Sequence, residues 1–317
     1  MSQSSPAVSV VFPVYNESGS LRPLVEQLMR VLRGIGRPYE IIAVDDGSSD
    51  GSYGILKELR QSESALRPIR FRYNAGQTAA LSAGIAAATG DIIVTIDSDL
   101  ENDPADIPRL IAKLEEGYDV VSGWRQGRWE GAWLTRRLPS VAANRLISKF
   151  SGVPLHDYGC TLKAYRAEAI KSIRLYGDMH RFIPAYAAWR GGKVTEIPVN
   201  HKPRMYGVSK YGFGRMPRVL LDLVVLVFLH RYMNRPMHFF GGWGLASLFS
   251  GFTAAALAVV LKVTGIRDFV ATPLPILATL LIIVGVQLVL FGVIAEMLMR
   301  TYYESQDKHP YTVEESA

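Results

Sequence analysis

Through the first two thirds of the chain, short apolar runs alternate with stretches of helical spacing. Beyond Met237 that alternation gives way to two long apolar blocks. Val8–Val14 is an almost unbroken apolar run ending in Pro-Val-Tyr-Asn-Glu, which predicts a strand buried on both faces. Tyr39–Val44, Ile69–Tyr73, Asp91–Ile96 and Asp119–Ser122 predict four more strands, Leu162–Tyr165 a short one and Lys193–Val199 another. Helices are predicted over Leu21–Leu32, Gly51–Leu59, alanine-rich Ala75–Thr89, Pro104–Glu116 with its early proline, and Arg136–Phe150. This order implies an α/β fold whose mostly parallel, Rossmann-like sheet is covered by helices on both faces. Ligands in such sheets sit beyond the carboxyl ends of the strands. Polar clusters follow the strands at Asn16-Glu17, Asp45-Asp46 and Asp97-Ser98-Asp99, so one crevice is expected to gather them.

The two apolar blocks, Phe239–Leu261 and Pro273–Met299, each exceed the roughly 20 residues that cross a bilayer. Val219–Leu229 is too short to span. Flanked by arginines, it suits a helix lying in the interface. The expected organisation is a catalytic domain over 1–212, juxtamembrane amphipathic helices over 213–236, two membrane helices over 237–300 and a tail over 301–317. Arg215, Arg218, Arg231 and Arg235 before the first block, with Arg300 and Lys308 after the second, outnumber Lys262 and Arg267 between them. The positive-inside rule then puts the globular part in the cytoplasm, on a multi-pass integral membrane protein. Small residues at Gly241-Gly242-Trp243-Gly244 and Ala254–Ala258 offer helix-packing surfaces, and a homo-oligomer is one use for them.

Composition narrows the picture in three ways. The net charge of +6 gathers beside the first apolar block, which favours lipid headgroups as its partner. No basic patch is interleaved with stacking aromatics in the globular part, which argues against nucleic acid. The single cysteine, Cys160, allows no intrachain disulfide and fits a reducing compartment. The N-terminal residues show neither the basic nor the apolar region of a signal peptide.

Asp97 and Asp99 end a buried strand two residues apart. Paired oxygen ligands of this kind suit Mg²⁺ or Mn²⁺ holding a diphosphate. The bare motif is also an ordinary solvated turn, and its place at the crevice is what distinguishes it. Asp45 and Asp46 could accept hydrogen bonds from a base or ribose, and Asp-Gly is equally an ordinary connector.

Taken together, Pro13-Val14-Tyr15-Asn16-Glu17, Val44 through Asp50, Arg72-Tyr73-Asn74-Ala75-Gly76 and Asp97-Ser98-Asp99-Leu100 resemble the inverting glycosyltransferases of family 2 over roughly residues 7 to 215. The resemblance implies a glycosyltransferase A-type fold, a nucleotide-sugar donor and a divalent metal. It places the donor nucleotide on Pro13, Tyr15, Asn16, Glu17, Asp45, Asp46, Gly76 and Asp97, and the metal on Asp97, Asp99 and Glu101. Glu101 stands where relatives often carry glutamine, which adds a charge beside the metal.

Later residues resemble one branch of the family. Gly123-Trp124-Arg125, Arg136 with Ser140 and Asn144, Asp157-Tyr158-Gly159-Cys160, and Arg204 with Gly207 through Tyr211 are similar to the polyprenyl-phosphate sugar transferases, best to the bacterial branch with two C-terminal spans. That implies inverting transfer of one sugar, glucose from uridine diphosphate glucose, to undecaprenyl phosphate for cell-envelope glycosylation. Arg125, Arg136, Ser140, Arg204 and Lys210 would bind the acceptor phosphate. Asp157 would orient the sugar or serve as a base, and with Asp99 and Arg125 forms the catalytic set. Two rival functions remain at this level: a processive polysaccharide synthase, for which Gln126-Gly127-Arg128-Trp129 is a faint and misplaced cue, and a nonenzymatic nucleotide-sugar-binding membrane scaffold.

Overall fold

The computed structural model describes residues 6–126, 138–173, 175, 177, 179–202, 225, 228, 231–232 and 235–305. The chain divides into two compact units, Met1–Asp222 and Leu223–Ala317.

In the first unit, seven strands form one sheet in the order β3-β2-β1-β4-β6-β5-β7. They are β1 (Val8–Val14), β2 (Tyr39–Asp45), β3 (Leu66–Arg70), β4 (Ile92–Thr95), β5 (Val120–Arg125), β6 (Lys163–Arg166) and β7 (Val194–Val199). Every strand but β6 points the same way, and β6 runs antiparallel between β4 and β5. All seven residues of β1 are buried, as an unbroken apolar run requires of a central strand.

Helices α1 (Ser18–Ile35), α2 (Ser52–Ser62) and α4 (Ile107–Glu115) belong with the apolar cluster on one face of the sheet. Helices α3 (Gln77–Ala87), α6 (Ala167–Lys171) and α7 (Ile183–Trp189) cover the other face, and α5 is Leu138–Ser151. The alanine-rich α3 lies unusually near the sheet. A β-carbon on Gly84 would strike Val11 Cγ1 and stand 3.2 Å from Val44 Cγ2.

β3 departs from the sequence expectation. It begins at Leu66 and ends at Arg70, whereas the pattern pointed to Ile69–Tyr73. Pro68 lies within it, opposite Ala43. β3 is the edge strand, where a missing N–H breaks no ladder. The chain leaves the sheet after Arg70 and passes hard against Gly47, whose added β-carbon would lie 2.7 Å from the Tyr73 carbonyl carbon.

At the amino end of the sheet, Glu40 accepts hydrogen bonds from Ser9 Oγ (2.7 Å), the Thr89 backbone and hydroxyl (both 2.6 Å) and Arg67 Nη1 (2.9 Å). Burial pushes the Glu40 pKa up. The bonds from Thr89, Ser9 and Arg67 outweigh it, and the net value is lowered. Glu40→Ala should therefore cost about 2 kcal/mol of stability at neutral pH, by leaving buried donors without acceptors. A depressed carboxylate stabilises the fold above its unfolded pKa, and this contribution disappears as pH falls through the folded value. Urea titrations of wild type and variant in detergent should draw together as the pH falls from the unfolded glutamate range through the lower folded value. Equal stability at pH 7 would show that the network contributes nothing.

The second unit holds α8 (Pro236–Val263) and α9 (Leu274–Ser305). Pro236–Val263 and Leu274–Met299, with mean hydropathies of 2.0 and 2.7, are long and apolar enough to cross a membrane. Glycines let the helices touch. A β-carbon on Gly244 would lie 2.9 Å from Gly285 O, one on Gly285 2.9 Å from Gly244 O, and one on Gly251 3.1 Å from Ala278 O. Gly244, expected to serve helix packing, thus faces α9 of its own chain. Val225, Phe228, Arg231 and Tyr232 are helical, and the Phe228 and Tyr232 rings pack on Phe239 at 5.6 and 4.9 Å. The rest of the expected interfacial helix lies outside the described residues.

Candidate active site

The carboxyl ends of β1, β2 and β4 carry the expected polar clusters. After β1, Asn16 adopts φ 54° and receives the Ser49 N–H on Oδ1 at 2.9 Å. Its own N–H donates to Ser48 Oγ, and the Glu17 N–H to Ser52 Oγ, each at 3.0 Å. The turns after β1 and β2 are thereby sewn together. Pro13 is buried opposite Val44, and Tyr15 is 38% exposed.

The two acids after β2 do different work. Asp46 is saturated: Ala75 N–H (2.7 Å), Gly76 N–H (2.9 Å) and Asn74 Nδ2 (3.0 Å) all donate to it. Burial raises its pKa, Asp45 adds to the rise, and the backbone donors oppose it. Asp46 shapes the loop that leads through Gly76 into α3. Asp45 is completely buried, and its Oδ1 receives the Ser48 N–H at 3.3 Å. Its Oδ2 has no hydrogen-bond donor among the described residues; Arg70 Nε lies 3.4 Å away as an ion pair. A buried carboxylate oxygen without a donor is costly unless a ligand supplies one.

After β4, Asp97 accepts from Gln77 Nε2 at 2.8 Å and from the Thr161 hydroxyl. Burial, reinforced by the neighbouring Asp99, pushes its pKa up to about 6. Asp99 receives the Glu101 N–H on Oδ1 at 3.1 Å. Leu100 between them has φ 62°, a left-handed conformation that a leucine adopts only against strain. Burial of its side chain in the core holds it there. The Glu101 carbonyl accepts from Lys202 N–H at 2.9 Å and from His201 Nδ1 at 3.2 Å, which ties the chain leaving β7 to this loop.

Arg125, at the end of β5, grips Asp157 with a two-pronged fork: Nε to Oδ2 at 2.7 Å and Nη2 to Oδ1 at 3.1 Å. The two residues are only 5% and 9% exposed. Burial opposes the charge on Arg125, but Asp157 overrides it and the pKa is raised. Arg125 and Asp97 also act on each other electrostatically, so the acid pair and the fork share one site. Beside the fork, the Trp124 and His156 rings stack at 4.3 Å, and Glu196 holds the imidazole.

Ser140 lies on α5, but its side chain falls outside the described residues, as do Arg136, Arg204 and Lys210. Four residues that sequence reasoning passed over belong here: Gln77 and Thr161 on Asp97, the buried Lys163, and His180. His180 Nδ1 meets Thr78 Oγ1 at 2.7 Å, and burial lowers its pKa to about 3. Only Lys163 left a signal, a lone charge inside a strand that otherwise reads as buried.

Residues 9–174 match the family described as glycosyl transferase family 2. The chain belongs to glycosyl transferase family 2. This glycosyltransferase is 42% identical over 316 residues to dodecaprenyl-phosphate galacturonate synthase of Rhizobium johnstonii, an alignment covering 96% of this chain and 91% of that one. Among solved structures it is similar to glucosyl-3-phosphoglycerate synthase of Mycobacterium tuberculosis. The complex with Mn²⁺, uridine diphosphate and phosphoglyceric acid gives a TM-score of 0.55 at 20% identity, covering 70% of this chain and 78% of that one. The complex with Mg²⁺ and uridine diphosphate gives 0.54 at 20% identity, covering 70% and 79%. At that identity the likeness shows the fold, a mixed α/β sheet of glycosyltransferase A type.

The acid loop of this glycosyltransferase fits a hard divalent cation. Asp97 and Asp99 repel each other, and a cation between them would relieve that repulsion. Among the described residues, no three His, Cys, Asp or Glu side chains gather at one point. Two carboxylates, with diphosphate and water completing the shell, is the coordination Mg²⁺ commonly takes beside phosphates.

Proposed function

We propose that this enzyme transfers a single galacturonosyl residue, with inversion, from uridine diphosphate galacturonate to a polyprenyl phosphate at a membrane surface. What carries the reading is the end-to-end relation to the Rhizobium enzyme, which takes in the catalytic sheet and both apolar helices alike. Glucose, which the branch resemblance implied, gives way to the uronic acid named in that relative's activity.

In this reading the Oδ2 of Asp45, which lacks a hydrogen-bond donor among the described residues, accepts an N–H of the base, and Tyr15 lies beside the nucleoside. Asp46 acts indirectly, by fixing the Gly76 turn. Asp97 and Asp99 hold Mg²⁺ or Mn²⁺. When bound, the cation neutralises charge developing on the leaving diphosphate. The acceptor phosphate, with a second pKa near 6, is largely dianionic at neutral pH and attacks without a general base. Arg125 and Ser140, with Arg136, Arg204 and Lys210, offset the repulsion between acceptor and donor. Both oxygens of Asp157 are occupied by the Arg125 fork, which favours the orienting role over that of a base. The apolar helices anchor the enzyme where its lipid acceptor resides, with the catalytic unit on the cytoplasmic side.

The test is a donor panel with the purified full-length enzyme, polyprenyl phosphate in detergent, and Mg²⁺, Mn²⁺ or chelator. The expected product is lipid carrying one galacturonate, formed only with metal and at least about tenfold faster than the glucosyl product, since a site built for a charged group rejects the analogue lacking it. Faster glucosyl transfer would sink the sugar assignment. A polymer would mark a processive synthase, and donor binding without turnover a scaffold.

A further inference from the structure

Lys163 opens β6 and is 2% exposed, although lysine is among the residues least often buried. It pairs in register with Thr95 on one side and Ser122 on the other. Its ammonium points back along the chain, donating to the Cys160 carbonyl and, at 3.3 Å, to the Tyr158 carbonyl. Those carbonyls belong to the turn that begins at Asp157. The same turn is fixed elsewhere by softer ties. Gly159 N–H reaches Asp157 Oδ1 at 3.0 Å, Tyr158 OH donates to Val153 O at 2.6 Å, and the Thr161 carbonyl receives Thr95 Oγ1 at 2.6 Å.

We propose that Lys163 is a positioning residue for sugar transfer: by gripping the 157–161 turn from inside, it sets Asp157 in the Arg125 fork and Thr161 on Asp97. The inference rests on the transfer reading above. Three hydrogen bonds depend on this one turn, the two of the Arg125 fork and the one from Thr161 to Asp97, and Lys163 tethers it from beneath. A single cation there also offsets the acids around it. Asp97 faces it from the end of β4, and Asp157 and Cys160 from the turn. Arg125 on β5 and His180 on the 3-10 turn Met179–Arg181 supply the opposing positive or neutral groups. Burial pushes the Lys163 pKa down to about 8; Arg125 adds to the fall, while Cys160, Asp157 and Asp97 resist it.

The test uses full-length enzyme carrying Lys163→Met or Lys163→Arg. Transfer kinetics are followed from pH 6.5 to 9.5, and uridine diphosphate binding is measured by calorimetry without Mg²⁺, so that Asp97 and its metal do not enter. Lys163→Met should lower kcat about 10²-fold, the scale of a 1 Å misplacement of reacting groups, and leave nucleotide affinity within about threefold. Without metal, nucleotide binding draws on the ends of β1 and β2, which β4 separates from β6 in the sheet. Wild-type kcat should fall above about pH 8 as the ammonium loses its proton. Lys163→Arg should retain at least a tenth of the activity and show no such fall, because guanidinium does not titrate there. Superimposable wild-type and Lys163→Arg profiles overturn the proposal, and this comparison stands even if Lys163→Met fails to fold. Loss of nucleotide binding in step with kcat in Lys163→Met also overturns it, since a general loosening of the fold would do that. A wild type that transfers no sugar to lipid would sink the functional reading instead, so the two failures are distinguishable.

Discussion

Replacing Asp99 with asparagine is expected to lower the transfer rate about 10³-fold, the scale seen when one preorganised electrostatic group at developing charge is removed. Asparagine keeps the size of the side chain and an oxygen to receive the Glu101 N–H, so the loop retains its path. What disappears is one of two negative charges that press on each other at the end of β4. The folded state gains from that relief, and the variant should unfold no earlier than wild type, with about 1 kcal/mol of added stability as the expected scale of such a trade. Calorimetry supplies an independent reading. Wild type should bind uridine diphosphate more tightly with Mg²⁺ than without it, and Asp99→Asn should bind it equally in both. A variant with full activity and an intact Mg²⁺ effect would remove Asp99 from the metal site.

The contrast between Asp45 and Asp46 marks how far the chain could be read before it folds. Apolar runs located the strands because burial on both faces leaves little room for polar residues. Their polar ends therefore stood out, and the gathering of acids at the ends of β1, β2 and β4 was legible at once. β3 was misplaced because Pro68 breaks strands in general, yet not on an edge, and edge position is a property of the finished sheet. Asp45 and Asp46 look equivalent in the chain. Only folding separates them, by bringing the 74–76 turn onto one and leaving an oxygen of the other without a donor among the described residues. Gln77 and Thr161 were illegible for the same reason. They reach Asp97 from separations of 20 and 64 residues, and neither residue type announces that contact. Leu100 shows the opposite limit: its left-handed backbone lies inside a recognised motif, but nothing in a leucine suggests that it will turn the chain there.

Arg125→Met is expected to abolish detectable transfer and to destabilise the protein by about 3–5 kcal/mol, because it leaves the Asp157 carboxylate buried without its partner. Asp157→Leu should do much the same from the other side, stranding a guanidinium that is 5% exposed in the wild type. The double variant Arg125→Met/Asp157→Leu decides what the fork is for. With both charges gone, neither desolvation cost remains, and apolar side chains of similar volume can fill the space. Stability should return to within about 2 kcal/mol of wild type, giving a coupling between the two sites of about 4 kcal/mol or more in a double-mutant cycle. Activity should not return with it. A fork that existed only to hold β5 against the 157–161 turn could be replaced by any well-packed pair, and the double variant would then regain both folding and turnover. A fork that aims positive charge at two approaching phosphates and orients the sugar cannot be replaced by methionine and leucine, however well they pack. Urea unfolding and lipid-linked sugar counts on the same four proteins measure the two quantities separately. Recovery of turnover in the double variant would assign the pair to the scaffold. Recovery of stability alone would leave Arg125 and Asp157 in the chemistry.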